Sequence, residues 1–194
     1  ITALTISFGT SILTAREVLT SGPVQYFMGS WIPPWGIEFR IDHLGVLMLL
    51  LLSFITLLVA IYSKQSILKE VPDREAPFYS VYLLFVSGLN GIVATADMFN
   101  MYVFLEISSL SSYALIALGG GSAAVSAFRY VILGTVGAAF YLLGVGYLYS
   151  VTGSLNMADL AQILPSLYES NAVRVGFAFL VIGLSIKMAL FPMQ

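Results

Sequence analysis

The sequence predicts an all-α protein, a polytopic membrane bundle of about six transmembrane helices with one broken helix and one interfacial amphipathic helix. Three observations predict it. Of 194 residues, 59% are hydrophobic and 9% charged, with a mean hydropathy of +0.94; soluble domains carry charge on about a quarter of their residues. Six stretches, at about 1–14, 44–62, 78–96, 98–118, 128–150 and 173–194, approach the roughly 20 apolar residues that one bilayer crossing needs. Two ionisable side chains, Glu106 and Lys187, lie deep inside these stretches.

The first stretch is short and starts at Ile1 with no initiator Met or charged flank, so it reads as the remainder of a span. The last stops at Gln194 without an exit loop. Residues 1–194 are therefore expected to be a single transmembrane domain and a piece of a longer protein. Residues 1–20 lack the basic region and cleavage site of a signal peptide. Residues 15–43 form the longest polar interval. Within it, Pro33-Pro34 excludes a helix, and Trp31 and Trp35 suit a membrane interface. Glu38, Arg40 and Asp42 alternate with Ile37, Phe39 and Ile41, which predicts a short extended stretch of structural role leading into the second span at His43.

Lys64 to Pro77 reads as a solvated loop. Ala96 to Asn100 must turn the chain within a few residues, with Asp97 as helix N-cap, so the third and fourth spans should pack as an antiparallel pair. Gly119-Gly120-Gly121 reads as a flexible turn; it lacks the Lys-Ser/Thr of a phosphate loop, and nucleotide binding is not supported. Gly134, Gly137, Ala138, Gly144 and Gly146 make the fifth span rich in small residues, which permits close helix approach. Over 151–171, Leu155, Met157, Leu160, Ile163, Leu164 and Leu167 recur at roughly helical spacing. They predict an amphipathic helix at the surface, starting near Asn156 or Asp159 and limited by Pro165. Lys64, Lys69, Arg74 and Arg129 on one side outnumber Arg16, Arg40 and Arg174 on the other, which tips the first side toward the cytoplasm.

Composition excludes several functions. A net charge of −2 and a pI near 5.2 leave no basic footprint for nucleic acid. With no Cys, the chain can form neither a disulfide nor a thiolate metal site nor an iron–sulfur cluster, and its single His, His43, cannot pair with another. The expectation is no cofactor, no metal and no catalytic chemistry in this chain.

The two membrane charges carry the functional reading. Glu106 lies ~12 Å into its span, near the middle of a ~30 Å hydrocarbon core, where it cannot reach the surface. Ser108, Ser109, Ser111 and Ser112 follow it, with Ser109 on the same helix face at i+3; such hydroxyls can bond a carboxylate or hold a water. Lys187 lies ~18 Å into a span entering from the same side, so the two charges can meet. Pro192 lacks the donor a continuing helix needs, and a break near Phe191-Pro192 would be tolerated only beside protein or a hydrated cavity. A structural salt bridge is the rival for Glu106, and snorkelling for Lys187. Function is preferred because a charge in lipid is costly and survives by facing a partner or a hydrated path.

Trp31-Ile-Pro-Pro-Trp-Gly-Ile-Glu38, Asp42-His-Leu, Ala96-Asp-Met-Phe-Asn-Met-Tyr-Val-Phe-Leu-Glu106-Ile, Arg129-Tyr130 and Ile186-Lys187-Met-Ala-Leu-Phe-Pro192 together resemble the antiporter-like membrane subunits shared by Mrp-type cation/proton antiporters, membrane-bound hydrogenases and NADH:quinone oxidoreductase. The resemblance covers nearly the whole chain and is nearest to the D-type subunit of Mrp antiporters or of membrane-bound hydrogenase complexes. It implies one half of an inverted-repeat fold, a discontinuous helix carrying Lys187, and a Glu106–Lys187 ion pair that modulates the lysine's proton affinity; from the residues themselves, Ser109, Ser112 and Pro192 are expected to support that pair. It implies proton or cation/proton translocation in a multisubunit complex of a prokaryotic inner membrane. The partners are then other membrane subunits, the lipid bilayer, protons and sodium as a candidate cation. The alternative is a structural membrane subunit of a respiratory or hydrogenase complex that conducts no ions. A small-molecule transporter ranks last, because only one helix break is predicted.

Overall fold

The computed structural model describes residues 1–70 and 74–191. The chain is mostly helical: α1 (Thr2–Ser21), α2 (His43–Glu70), α3 (Glu75–Ala94), α4 (Met98–Ala117), α5 (Ser122–Thr152), α6 (Met157–Ile163) and α7 (Asn171–Lys187), with a two-stranded hairpin, β1 (Val24–Phe27) and β2 (Glu38–Ile41). Large apolar side chains such as Leu47, Leu51, Phe54 and Leu58 on α2 and Leu133 and Leu143 on α5 are exposed. Helices hydrophobic all round are what a lipid solvent selects.

Among the described residues, α2, α3 and α5 are long and apolar enough to cross a membrane. The other three expected spans are helical but fall short for identifiable reasons. Threonines, serines, Arg16 and Glu17 dilute α1, Asn100, Glu106 and four serines dilute α4, and α7 ends after 17 residues at Lys187.

Several boundaries differ from the sequence reading. The helix α1 runs on to Ser21, so the polar interval begins later than residue 15. Helix α2 continues through Lys64 and Lys69, so that part of the expected loop is helical, since Lys and Gln have good helix propensity; Val71, Pro72 and Asp73 lie outside the described residues. Helix α5 starts at Ser122, directly after the glycine turn. The surface helix expected over 151–171 is only α6 followed by a 3-10 turn over Leu164–Leu167, because α5 runs to Thr152 and Gly153 ends it in the left-handed region at φ 68°.

Caps set the starts of the helices. Asp42 Oδ1 accepts from Gly45 N at 2.7 Å, Asp97 Oδ1 from Asn100 N at 2.7 Å, and Asn156 Oδ1 from Ala158 N at 2.9 Å and Asp159 N at 3.2 Å. Asn156, not Asp159, is thus the cap of α6. The extended stretch at Glu38–Ile41 is confirmed as β2, pairing antiparallel with β1 in the register Val24↔Ile41 to Phe27↔Glu38.

Glycines make the helix seams. Helices α3 and α4 pack antiparallel, as expected; a Cβ on Gly88 would lie 2.7 Å from Ser108 N, and one on Gly91 would run into the Phe104 ring. In the second seam, Gly137 and Gly144 of α5 face α7, where Gly183 and Gly176 face back. Ala138 is buried beside them. For Gly146, grouped with the packing glycines in the sequence reading, an added Cβ would meet nothing within 4 Å among the described residues.

Candidate functional site

The face of α4 that carries Glu106 also carries Tyr102, Ser109 and Tyr113, at i, i+4, i+7 and i+11 from Tyr102, so all four side chains line one side of the helix. Opposite them stands the end of α7. Lys187 Nζ donates to Glu106 Oε1 at 2.7 Å and to Ser109 Oγ at 3.0 Å. Residues from separate helices thus meet in one ion pair. The lysine side chain is 10% exposed and the glutamate 25%, so the pair is largely withdrawn from solvent.

Lys187 is the last residue of α7, where unpaired carbonyls make the helix end electronegative and favour a cation. The break expected near Phe191-Pro192 comes a few residues earlier. Leu190 N bonds to Ser185 O at 2.9 Å and Ala189 N to Ile186 O at 3.1 Å, with Ala189 in the left-handed region at φ 50°. This 6→1 and 5→2 pattern closes a helix C-terminus, here with alanine in place of the usual glycine. Pro192 lies outside the described residues.

The serine cluster divides. Ser108, Ser111 and Ser112 direct their hydroxyls to the carbonyls of Leu105, Ile107 and Ser109, at 3.0, 2.7 and 2.7 Å. Ser112, expected beside the pair, is therefore bonded back to its own helix; serine hydroxyls commonly do this when no better partner faces them. Ser109 does face the pair, but it accepts from the lysine and makes no bond to the carboxylate.

Two sets of residues join the site that sequence reading did not place there. Tyr113 is buried and packs edge-on against Tyr130 with ring centroids 4.6 Å apart. Tyr102 stacks on Tyr141 with centroids 6.4 Å apart. The helical spacing of these tyrosines from Glu106 was the available signal.

The other set is a buried polar knot at the N-terminal end of α4. Asn156 Nδ2 donates to Glu38 Oε2 at 2.6 Å, Ala96 N to Glu38 O at 2.9 Å, Met157 N to Ala96 O at 2.8 Å, and Asn100 Nδ2 to Thr95 Oγ1 at 3.0 Å. Glu38, Thr95, Asp97, Asn100 and Asn156 are all buried. The knot ties β2, the α3–α4 turn and the α5–α6 linker together and holds the start of α4. Burial pushes the Asp97 carboxyl above the ordinary carboxylate range, opposed by backbone N–H bonds from Asn100 and Phe99. No group of three or more His, Cys, Asp or Glu residues is placed to hold a metal among the described residues.

Residues 95–194 match the transmembrane family described as NADH:quinone oxidoreductase/Mrp antiporter. The chain is 48% identical over 192 residues to NADH-quinone oxidoreductase subunit N of Desulforudis audaxviator, a match covering 99% of this chain and 38% of that protein. It is 34% identical over 183 residues to the D-type subunit of the Na(+)/H(+) antiporter of Bacillus subtilis, covering 93% and 36%. Among solved structures it resembles a chain of the membrane-bound sulfane sulfur reductase, an archaeal respiratory membrane complex, at TM-score 0.91 and 33% identity over 98% of this chain and 39% of that one. The chain spans a little over a third of the length of these relatives.

Proposed function

Because the chain belongs to the NADH:quinone oxidoreductase/Mrp antiporter transmembrane family, we propose that it is an antiporter-like part of a multisubunit membrane complex and moves protons, or exchanges protons for a cation, through the Glu106–Lys187 pair. The observation that carries this reading is the 2.7 Å contact between a lysine and a glutamate from separate helices, both largely shielded from solvent. Lys187 is the proton carrier. Glu106 favours its ammonium form while in contact, and separation or neutralisation of the carboxylate favours release.

The magnitudes fit a switch better than a brace. At an effective dielectric of about 20, unit charges 2.7 Å apart attract by about 6 kcal/mol. Desolvation costs several kcal/mol for each ion and offsets most of that gain. Such a pair adds little net stability, yet a change in either partner's charge alters the other's environment by several kcal/mol. The closing turn after α7 leaves Lys187 on a helix end, where a small backbone change moves its ammonium group.

Other membrane subunits and the lipid bilayer are the partners in this reading, protons and a cation such as sodium the transported species, and a prokaryotic inner membrane the location. Energy comes from an ion gradient or from a redox partner elsewhere in the complex. The test is ion-driven or redox-driven proton flux in vesicles, normalised to assembled complex. Lys187→Ala should abolish flux and Glu106→Gln should impair it, with the complex still assembled. Normal flux in the double neutral variant, Glu106→Gln with Lys187→Met, would make the pair a structural clamp and would refute the proposal.

A further inference from the structure

The outer side of α7 is built differently from its seam with α5. Gly176, Leu180 and Gly183 turn toward α5 and are buried. Arg174, Phe177 and Val181, at i, i+3 and i+7, line another side, where Phe177 is 65% and Val181 47% exposed. At the head of this stripe lies a groove of about 410 Å³. Leu164, Pro165 and Tyr168, from the 3-10 turn and its exit, form one wall, and Val173, Arg174 and Phe177 of α7 form the other. The volume falls within the roughly 300–1,000 Å³ of small-ligand sites, and the lining side chains are apolar except for Arg174 and the Tyr168 hydroxyl.

Charge and apolar surface are ordered along the stripe. Arg174 lies in the first turn of α7, and Phe177 and Val181 follow ~4.5 and ~10.5 Å further along the helix. Arg174 Nη2 donates to Glu169 Oε2 at 3.0 Å, and the guanidinium stands 5.8 Å from the centroid of the Tyr168 ring. The Glu169 side chain is 90% exposed, and exposed ion pairs of this kind hold weakly, so the carboxylate is free to turn away into water. A cation at the rim with an apolar channel below it, on a helix entering the bilayer, repeats the order of a phosphate headgroup above its acyl chain. The helix seams of this molecule meet at glycines, as at Gly88 and Gly91 or at Gly137 and Gly183. The Arg174–Phe177–Val181 stripe has bulky side chains instead, and a flexible chain follows such a surface more closely than a second helix does.

We propose that this groove binds a phospholipid, with its phosphodiester on Arg174 and the upper part of one acyl chain between the 3-10 turn and α7. The planar guanidinium fork matches phosphate oxygens, and Glu169 takes only one of its five donors. Glu169 competes with the phosphate for the arginine. The bound lipid ties the head of α7 to the segment that precedes it. Arg174 is ~20 Å along α7 from Lys187, so the inference does not depend on the proton-carrier reading.

The experiment is photolabelling of the intact complex in vesicles with phosphatidylglycerol that carries a diazirine on one acyl chain, read by peptide mass spectrometry. Label on the exposed α2 face from Leu51 to Leu58 is the internal reference for ordinary lipid contact. Relative to it, label on 164–177 should fall about fivefold in Arg174→Gln, the scale of one basic residue against a headgroup at the bilayer surface. Arg16→Gln, which removes an exposed arginine of α1, should leave it unchanged, and Glu169→Gln, which removes the competitor, should raise it. Absence of label on 164–177 in the parent, or unchanged label in Arg174→Gln, overturns the inference. The parent complex alone gives a second measurement, which decides should Arg174→Gln fail to assemble. Diacylglycerol with the same diazirine chain should label the groove about fivefold less than phosphatidylglycerol does, and equal labelling by the two probes sinks the proposal. A photocrosslinking residue in place of Phe177 that captures a neighbouring subunit instead of lipid would assign the groove to that subunit and likewise refute it.

Discussion

Gly183 lies one helical turn before Lys187, at the closest approach of α7 to α5, and Gly183→Ala tests how tightly that seam positions the lysine. The added Cβ would stand 2.5 Å from Tyr141 N, 2.8 Å from Gly137 O and 2.9 Å from Tyr141 Cα. All three are backbone atoms, so no side chain can swing away. Restoring an ordinary separation of about 3.5 Å requires α7 to retreat by roughly 1 Å. Overpacking of this kind costs about 1–3 kcal/mol. The same retreat displaces Lys187, one turn further along α7, relative to Glu106, and so disturbs their 2.7 Å contact. Gly146→Ala is the matched control, because that glycine has nothing within 4 Å and alanine is the better helix former by about 1 kcal/mol. Thermal inactivation of the intact complex and proton flux per assembled complex are the two measurements. Gly183→Ala should lower both and Gly146→Ala neither. Equal behaviour of the two variants would refute the seam as the device that places Lys187.

Asn156→Ala removes the amide bonded to the buried Glu38 carboxylate and the cap of α6 at once. It should destabilise the protein by about 2–4 kcal/mol, seen as a lower melting temperature with flux per assembled complex retained. Asp97 gives a pH dependence whose sign can be worked out. Its carboxyl is raised by burial, so the folded state binds that proton more tightly than the unfolded one. Its contribution to stability is therefore present below the ordinary carboxylate value of about 4 and is lost as pH rises through the raised value. Asp97→Asn still caps α4 and should flatten that part of the stability–pH curve. Ser112→Ala should leave flux unchanged, because its hydroxyl bonds to the Ser109 carbonyl of its own helix; a loss of flux would place Ser112 in the site after all. Single cysteines in place of Trp35 and Gly120 should label from opposite faces of sealed vesicles, and labelling from one face would refute the arrangement of spans.

The parts of this molecule legible in the sequence are those set by local chemistry. A buried charge in an apolar run identifies itself, and so Glu106 and Lys187 were readable as a pair before their distance was known. The Asp97 cap, the alternation at Glu38–Ile41 and the glycine turn at 119–121 are likewise written within a few residues each. Long-range partnerships were not legible. Glu38 looks like one member of an alternating surface strand, and only folding brings it to Asn156, 118 residues away. Ser109 and Ser112 are equivalent as letters near Glu106; they part because one meets Lys187 and the other meets a carbonyl. Gly146 resembles Gly144 in the sequence, yet two residues on a helix differ by about 200° in direction, which separates a seam glycine from an unpacked one. The end of α7 was placed late because Pro192 is the conspicuous breaker, while the observed closing turn uses Ala189, a residue with no such signature.

The two glycine seams also limit how the pair can work. Glu106 rides on α4, locked to α3 at Gly88 and Gly91; Lys187 rides on α7, locked to α5 at Gly137, Gly144, Gly176 and Gly183. Contacts this close leave little freedom for sliding, since protein interiors pack at crystal-like density and do not compress. The Asn156–Glu38 knot and the bond from the Tyr141 hydroxyl to Met98 O at 3.1 Å hold the start of α4 as well. Opening the pair by translating a whole helix would therefore have to break a seam. Rotation of the lysine side chain, or unwinding of the closing turn over Met188–Leu190, breaks none. Ala189 in that turn occupies a left-handed conformation that costs a non-glycine residue about 1–2 kcal/mol, a cost that unwinding the turn would relieve. Ala189→Gly removes that cost and should hold Lys187 in its observed place, slowing proton release while raising the stability of the complex. A variant that gains both stability and flux would show that the turn plays no part in separating the pair.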